Sequence, residues 1–178
     1  MTYKVFIDGA EGTTGLKIHS YFTKRNDLEI ISIDDGKRKD LDERLKMIKK
    51  ADISFLCLPD NAAREIAGAV PKECRIIDTS TAHRTNDSWV YGMPELSCNQ
   101  REKIRHSNRV AVPGCHATGV ILLTKPLYER GIINKEYPLS AFSITGYSGG
   151  GKKMIAQYEN NEVPKSPRQY GLGQHHKH

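Results

Sequence analysis

Short apolar segments alternate with amphipathic segments along the first half of the chain, and this alternation constrains the fold more than any other feature of the sequence. The apolar segments have the length and composition of β-strands, and they cover residues 4–8, 28–34, 52–58 and 74–78. Strands that are separated by helices pair in parallel through right-handed crossovers. Near-continuous apolar strands are typical of sheets that are covered on both faces. The sequence therefore predicts an α/β fold built on a parallel sheet.

Three glycines follow the first predicted strand and precede an amphipathic helix. Gly9, Gly12 and Gly15 form the pattern G-x-x-G-x-x-G. A tight glycine turn at a helix N-terminus lets the backbone approach the pyrophosphate of a dinucleotide and favours its negative charge. Thr13 and Thr14 add hydroxyl groups that bind a phosphate or cap the helix. An ordinary strand-to-helix turn is the alternative, but the strand–turn–helix context favours a Rossmann-type nucleotide site.

The end of the second predicted strand indicates which nucleotide binds. Asp34 and Asp35 lie 19 and 20 residues after Gly15, where an acid normally binds the ribose hydroxyls and favours NAD. Lys37, Arg38 and Lys39 follow at once, and adjacent cations hold the additional 2′-phosphate of NADP. Such a charge run is otherwise a solvated surface. We interpret this one as a preference for NADP.

The chain changes character after residue 78. The remaining predicted elements are a loop at 79–96, a helix at 97–106, a short strand at 110–112, a helix at 116–130 and a strand at 140–145. The two strands predicted at 110–112 and 140–145 are too few to form a second independent sheet. We therefore predict a Rossmann-type parallel-sheet domain at residues 1–113, followed at 114–178 by an incomplete α+β catalytic domain.

Cys115 is the most chemically suggestive single residue. It lies in the run V-P-G-C-H-A-T-G at 112–119, where a strand ends, Pro and Gly make a bend, and a helix begins. A helix N-terminus stabilises a thiolate, and its backbone N–H groups hold a developing oxyanion. His116 is adjacent, but neighbouring helical residues point apart, so we do not assign it as a base. From placement alone, a buried structural cysteine is the commoner alternative.

Two further segments that follow predicted strands are candidate binding segments. Arg84 comes after the fourth strand, and ligands of an open parallel sheet bind beyond the carboxyl ends of its strands. An arginine there clamps a phosphate bidentately; the alternative is a surface ion pair. The run S-G-G-G-K-K at 148–153 offers small residues and backbone donors that suit close approach by a cofactor. The alternative for this run is a flexible turn.

Composition and charge exclude several classes of function. The net charge of +6 first suggests nucleic acid, but the basic residues are spread out and a small anionic ligand explains the excess equally well. No apolar run approaches the roughly 20 residues that span a bilayer, and the opening residues carry no signal-peptide pattern. We expect a cytoplasmic protein that binds no membrane. The four cysteines have no C-x-x-C spacing, so no metal site is expected.

Six segments together resemble the N-acetyl-γ-glutamyl-phosphate reductases, in particular their shorter variant, a family related to aspartate-semialdehyde dehydrogenase. They are the glycine turn at 9–15, D-T-S-T-A-H-R at 78–84, Y-G-M-P-E-L at 91–96, V-P-G-C-H-A-T-G at 112–119, G-Y-S-G-G-G-K-K at 146–153 and H-K-H at 176–178. They occur in family order from one end of the chain to the other. The H-x-H pattern and the S-G-G-G run favour this reductase over the aspartate-semialdehyde enzyme.

The resemblance implies NADPH-dependent reduction of N-acetyl-γ-glutamyl phosphate to N-acetylglutamate 5-semialdehyde, with release of phosphate. It implies that Cys115 is the nucleophile that forms a thioester, that His176 is the acid/base, and that Arg84 binds the substrate phosphate. It also implies a homo-oligomer, specifically a tetramer, that acts on a small acyl phosphate and binds no nucleic acid. The expected cofactor-binding residues are Gly9, Gly12, Thr13, Thr14, Gly15, Asp34, Lys37, Arg38, Ser148, Gly149 and Gly150.

The resemblance further implies a longer protein, because the family continues beyond H-x-H through a Pro-Glu segment and the rest of a mixed-sheet domain. We therefore expect a fragment or truncated product, in which the histidine lacks its acidic support. The sequence leaves three alternatives open. They are a non-catalytic NADP-binding module of this reductase, an enzyme like aspartate-semialdehyde dehydrogenase, and a basic nucleic-acid-binding protein.

Overall fold

A six-stranded parallel sheet dominates the computed structural model, which describes residues 1–10 and 12–173. Its strands are β1 (Tyr3–Asp8), β2 (Leu28–Ile31), β3 (Ile53–Leu56), β4 (Ile76–Asp78), β5 (Val90–Tyr91) and β6 (Arg109–Ala111). The helices between them are α1 (Thr13–Phe22), α2 (Leu41–Lys50), α3 (Asp60–Ala69) and α4 (Gln100–His106). The strand order is β2-β1-β3-β4-β6-β5. All strand pairs within this sheet are parallel, which confirms the predicted α/β class.

Helices cover both faces of this sheet. Phe55 and Leu56 are consecutive on β3, so their side chains point to opposite faces. Phe55 meets Phe22 of α1 edge to face, with ring centroids 5.2 Å apart. Leu56 is fully buried in the main apolar cluster on the α2 and α3 side. The members of that cluster are Phe6, Ile48, Leu56, Ile66, Val70 and Ile76.

The strand order places a crevice at the end of β1. β2 lies on one side of β1 and β3 lies on the other, so the chain reverses its direction of winding between β1 and β3. In open α/β sheets, ligands bind at such a switch point, beyond the carboxyl ends of the strands. The glycine turn lies at this point, directly after Asp8.

The described part of the chain after the sheet contains two helices and two short strands. They are α5 (Cys115–Glu129), β7 (Ile144–Thr145), α6 (Gly151–Glu159) and β8 (Arg168–Gln169). β7 and β8 form a two-stranded antiparallel sheet. The strand predicted at 140–145 is therefore only two residues long, and its partner lies in a segment for which no strand was predicted. The domain boundary between residues 113 and 114 stays a prediction.

The run at 148–153, for which the sequence predicted no helix, is helical in its second half, because α6 begins at Gly151. Gly151 has a positive φ of 65° and brings the chain into the helix. Met154, Ile155 and Tyr158 then face inward at helical spacing, which stabilises the helix through packing rather than propensity. No helix in the described part of the chain is both long and apolar enough to span a membrane.

Several predicted elements of the sheet region also differ from the structure. β2 ends at Ile31 instead of residue 34, because the chain turns into a short 3₁₀ helix at Asp35–Lys37. The N–H of Lys37 donates to the carbonyl oxygen of Asp34 at 2.8 Å in this turn. The predicted loop at 79–96 contains β5, which lies at the sheet edge and pairs with β6.

Candidate active site

The glycine turn after β1 is packed too closely for side chains. A Cβ added to Gly9 would lie 2.3 Å from the carbonyl oxygen of Cys57, and Gly9 has a φ of 82°. A Cβ added to Gly15 would lie 2.3 Å from the carbonyl oxygen of Gly9. Gly12 precedes the first residue of α1, and within the described chain no side chain caps this helix. Backbone N–H groups at its start are therefore free to bind an anion.

A cavity of about 710 Å³ lies against this turn. Gly9 and Ala10 form one wall, and Arg38 and Lys39 lie on another. Pro59, which precedes α3, also contributes to the lining. A glycine turn that faces two cations across one cavity fits a dinucleotide that carries an additional phosphate.

Only some of the residues that were predicted to select the cofactor line this cavity. Arg38 lines the cavity, where it is paired with the carboxylate of Asp35. Among the described residues, Asp35 and Lys39 line this cavity in place of Asp34 and Lys37. The Lys37 ammonium lies 3.9 Å from a carboxylate oxygen of Glu43 on α2. The 3₁₀ turn, which the sequence did not reveal, determines which side chains face inward.

A buried ion pair that the sequence analysis missed holds the wall beside the glycine turn. Asp8 at the end of β1 is 4% exposed, and Arg44 of α2 is 8% exposed. The Nε and Nη2 atoms of Arg44 lie 2.9 and 2.8 Å from the same carboxylate oxygen of Asp8. Burial raises the pKa of Asp8 above its ordinary value, and the hydrogen bond from Arg44 opposes this rise. The pair ties α2 to the end of β1.

A second cavity, of about 820 Å³, brings together predicted residues from four separate segments. Thr14 comes from α1, Arg84 from the loop after β4, Cys115 from the start of α5, and Gly149 from the turn before α6. Cys115 is exposed, so the alternative of a buried structural cysteine does not apply to it. A thiol, a guanidinium and a helix N-terminus therefore share one cavity.

Arg84 is anchored by backbone carbonyl groups beside the start of α5. Its Nε donates to the carbonyl oxygen of Val112 at 2.8 Å, and its Nη2 donates to that of Thr79 at 3.2 Å. A Cβ added to Gly114 would lie 2.8 Å from Nη1 of Arg84. Glycine at position 114 therefore lets the guanidinium pass close to the residue that precedes Cys115.

The first turn of α5 also contacts the residue before β7 and the residue after β8. His116 lines the cavity, and its Nδ1 is hydrogen-bonded to the hydroxyl of Ser143. Its ring stacks on Tyr170 with centroids 3.7 Å apart. Sequence reasoning missed Ser143 and Tyr170, because neither lies in a segment with a recognisable motif. These two contacts engage the Nδ1 atom and one face of the His116 ring.

The turn before α6 faces the first turn of α1. Ser148 lines a small recess of about 380 Å³ together with Thr13 and Thr14. A Cβ added to Gly151 would lie 3.7 Å from the hydroxyl oxygen of Thr13. Gly150 directly precedes α6 and packs against Met154. The structure thus brings two of the predicted cofactor-binding segments side by side. His176 lies outside the described residues.

Comparisons with known proteins place this arrangement among dehydrogenases. Residues 11–107 match the model of the semialdehyde dehydrogenase NAD-binding domain, and residues 115–178 match that of the semialdehyde dehydrogenase dimerisation domain. A protein of Pseudomonas putida named N-acetyl-gamma-glutamyl-phosphate reductase 2 is 46% identical over 98% of this chain and 56% of its own length. An N-acetyl-gamma-glutamyl-phosphate reductase of Trichormus variabilis is 45% identical over 98% of this chain and 57% of its own. The chain thus spans somewhat more than half the length of these relatives.

Solved structures support the same fold. Aspartate semialdehyde dehydrogenase II of Vibrio cholerae matches 93% of this chain and 55% of its own, with a TM-score of 0.59 and 17% identity. The aspartate semialdehyde dehydrogenase of Francisella tularensis matches 90% of this chain and 49% of its own, with a TM-score of 0.63 and 14% identity. At such identities, the likeness concerns the fold alone.

Proposed function

We propose that this chain, which belongs to the semialdehyde dehydrogenase family, carries the NADP-binding site and the nucleophile of an N-acetyl-γ-glutamyl-phosphate reductase. The reaction is the reduction of N-acetyl-γ-glutamyl phosphate to N-acetylglutamate 5-semialdehyde and phosphate. The observation that carries the proposal is the shared cavity of Cys115, Arg84 and Gly149 beside the first turn of α1. The names of relatives at 45–46% identity agree with it.

The cysteine would divide the reaction into two steps. The Cys115 thiolate attacks the acyl carbon of the substrate, the carbon–oxygen bond to phosphate breaks, and phosphate leaves with the bonding electron pair. A thioester between Cys115 and the acyl group remains. When bound, NADPH would supply a hydride to the acyl carbon of this thioester. The carbon–sulfur bond then breaks, which releases the aldehyde and returns Cys115 as its thiolate.

Two neighbouring groups would stabilise the charges that arise in the first step. Arg84 would bind the phosphate group, because its guanidinium is held by carbonyl oxygens next to the start of α5. N–H groups in the first turn of α5 would stabilise the oxyanion that forms on the acyl carbon's oxygen. His176 would act as the acid/base of the reaction. This assignment rests on the family resemblance.

NADP would bind along the switch point of the sheet. Gly9, Gly12 and Gly15 would bring the backbone and the start of α1 to the pyrophosphate. Arg38 and Lys39 would contact the 2′-phosphate, because both line the cavity beside the glycine turn. Thr13 and Ser148 adjoin a neighbouring recess, where the remainder of the cofactor would extend towards Cys115.

We also propose that the protein acts in the cytoplasm as a homo-oligomer. The match of residues 115–178 to a dimerisation domain supports assembly of copies. A tetramer is the specific assembly implied by the resemblance. Size measurement in solution with crosslinking would distinguish a dimer from a tetramer.

Acylation of Cys115 tests the proposed chemistry without depending on hydride transfer. The purified chain is mixed with N-acetyl-γ-glutamyl phosphate, and its intact mass and peptide map are measured. We expect one N-acetylglutamyl group on Cys115, none on Cys98, which is also exposed, and no adduct after Cys115→Ala. A folded chain that acquires no adduct, or acquires it on Cys98, would contradict the proposal.

A second candidate function follows from the length of the chain. Because the chain spans 56–57% of two curated relatives, it is alternatively a non-catalytic NADP-binding module. The same sample distinguishes the two functions: a module binds NADP but leaves Cys115 unmodified by the acyl phosphate.

A further inference from the structure

A buried carboxylate–imidazole pair lies behind the second cavity and has no part in the mechanism above. The side chain of Asp78, the last residue of β4, is 0% exposed, and that of His83 is 7% exposed. One carboxylate oxygen of Asp78 lies 2.6 Å from Nδ1 of His83. The Ser80 hydroxyl donates to the same oxygen at 2.7 Å, and the Ser80 N–H donates to the other at 3.0 Å.

The His83 ring is held on its face as well as at its edge. It stacks on Trp89 with ring centroids 4.0 Å apart and an angle of 12° between the planes. Trp89 packs in turn against the main apolar cluster of the sheet. If His83 moved, the buried Asp78 carboxylate would lose one of its three hydrogen bonds, which is costly in a buried site. His83 therefore has one defined position relative to β4.

This fixed histidine directly precedes Arg84. The loop from β4 to Arg84 contributes Thr79, Thr81 and Arg84 to the lining of the cavity that contains Cys115. The guanidinium of Arg84 reaches the carbonyl oxygens of Val112 and Thr79 only if the backbone at residue 84 has the correct position. A rotation of the loop at His83 would move the guanidinium away from the start of α5.

We propose that the Asp78–His83 pair positions Arg84 and thereby determines how tightly a phosphate group binds beside Cys115. His83 is a positioning residue in this proposal, because it acts through Arg84. The proposal rests on the proposed function, in which Arg84 binds the phosphate of the substrate. It extends the site to residues that lie outside the cavity lining.

Protection of Cys115 by inorganic phosphate provides the measurement. The rate of Cys115 alkylation by iodoacetamide is recorded against phosphate concentration, and the half-protecting concentration is determined. We expect His83→Leu to raise this concentration about tenfold, the size of one lost hydrogen bond to a charged group. His83→Asn retains a donor near the Nδ1 position and should restore most of the protection.

Two controls separate positioning from general stability. His106→Leu alters an exposed histidine of α4 (79% exposed side chain) and should leave the half-protecting concentration unchanged. NADP affinity should be the same in all variants, because the cofactor cavity adjoins β1 and β2. A purely structural role for His83 would lower the unfolding midpoint without changing phosphate protection in the folded protein.

The outcomes are distinguishable. If phosphate protects the unaltered chain and His83→Leu protects equally well, the positioning role is overturned while the proposed function stands. If phosphate protects no variant, including the unaltered chain, both are overturned. If His83→Leu does not fold, Ser80→Ala decides, because it removes one donor from the same carboxylate. We expect about threefold weaker protection there, and unchanged protection would overturn the proposal.

Discussion

The sheet of β1–β6 and the chain that follows it bury their apolar side chains to very different extents. Phe6, Leu56 and Ile66 of the sheet region are at most 3% exposed. Among the described residues from 115 onward, only Tyr158 is buried. Leu123 and Phe142 are 75% and 76% exposed in the same stretch. The sheet region thus has its own core, whereas the later segment presents an apolar surface of a kind that marks association.

The two regions also contribute differently to the two cavities. The cofactor cavity beside Gly9 is built entirely from the sheet region. The cavity that contains Cys115 draws on both regions, since Gly149 and Tyr170 line it together with Arg84. Binding of the 2′-phosphate end of the cofactor should therefore depend on the first region alone. The end that extends past Ser148, and the chemistry at Cys115, should depend on both regions.

The largest expected effect is on the core of the sheet. Leu56→Ala should lower the free energy of unfolding by about 2–5 kcal/mol, because Leu56 is fully buried between the sheet and two helices. The matched change Leu123→Ala should alter it by less than about 0.5 kcal/mol. Urea denaturation followed by circular dichroism measures both. Similar losses for the two leucines would remove the distinction between the regions.

The next effect concerns cofactor choice within the first region. Arg38→Ser and Lys39→Ser should each weaken NADPH binding about tenfold, because a hydrogen bond to a charged group contributes roughly 1.5–3 kcal/mol before screening. Lys37→Ser is the matched control and should have a smaller effect, since Lys37 lies near Glu43. NADH affinity should be nearly unchanged. Fluorescence titration that finds equal affinities of the unaltered chain for both cofactors would contradict this assignment.

Part of the cofactor site could be predicted from the sequence. The glycine turn is a local pattern, and the parallel sheet follows from segment alternation, so both were predictable; the fold class and the family are confirmed. Which of Asp34, Lys37 and Arg38 faces inward depends on a 3₁₀ turn that leaves no pattern in the sequence. The roles of these residues stay predictions.

Elements that depend on distant contacts were missed for a similar reason. β5 has only two residues and exists because it pairs with β6. α6 follows a glycine run that is typical of a loop, and its inward side chains stabilise it. The Asp78–His83 pair joins two residues whose burial is a property of the folded sheet. Periodicity along the chain cannot reveal contacts of these kinds.

A smaller effect concerns Cys57, a half-buried thiol of the first region. Burial raises the pKa of Cys57 to about 11 from an ordinary value of 9.0. A raised folded-state pKa means that the stabilising contribution is complete below pH 9 and is lost as the pH rises towards 11. Cys57→Ala should therefore lose less stability than the unaltered chain between these pH values. Cys98→Ala is the control, and equal pH dependence in the unaltered chain and Cys57→Ala would contradict the expectation.

The smallest effect on stability, and the clearest on assembly, is expected at the exposed apolar surface. Leu123→Ser and Phe142→Ser should each reduce self-association of the chain, because both side chains are largely exposed in the monomer. Sedimentation velocity over a range of concentrations measures the change. A chain that stays monomeric before any substitution would show that this surface does not associate on its own.

The relative alkylation rate of Cys115 and Cys98 tests most directly whether the two regions together form a reactive site. Both thiols are exposed, but only Cys115 begins a helix beside Arg84 in a shared cavity. Iodoacetamide should modify Cys115 about tenfold faster than Cys98, and phosphate or NADP should slow the reaction of Cys115 alone. Equal rates for the two thiols, with neither anion protecting Cys115, would contradict its assignment as the nucleophile.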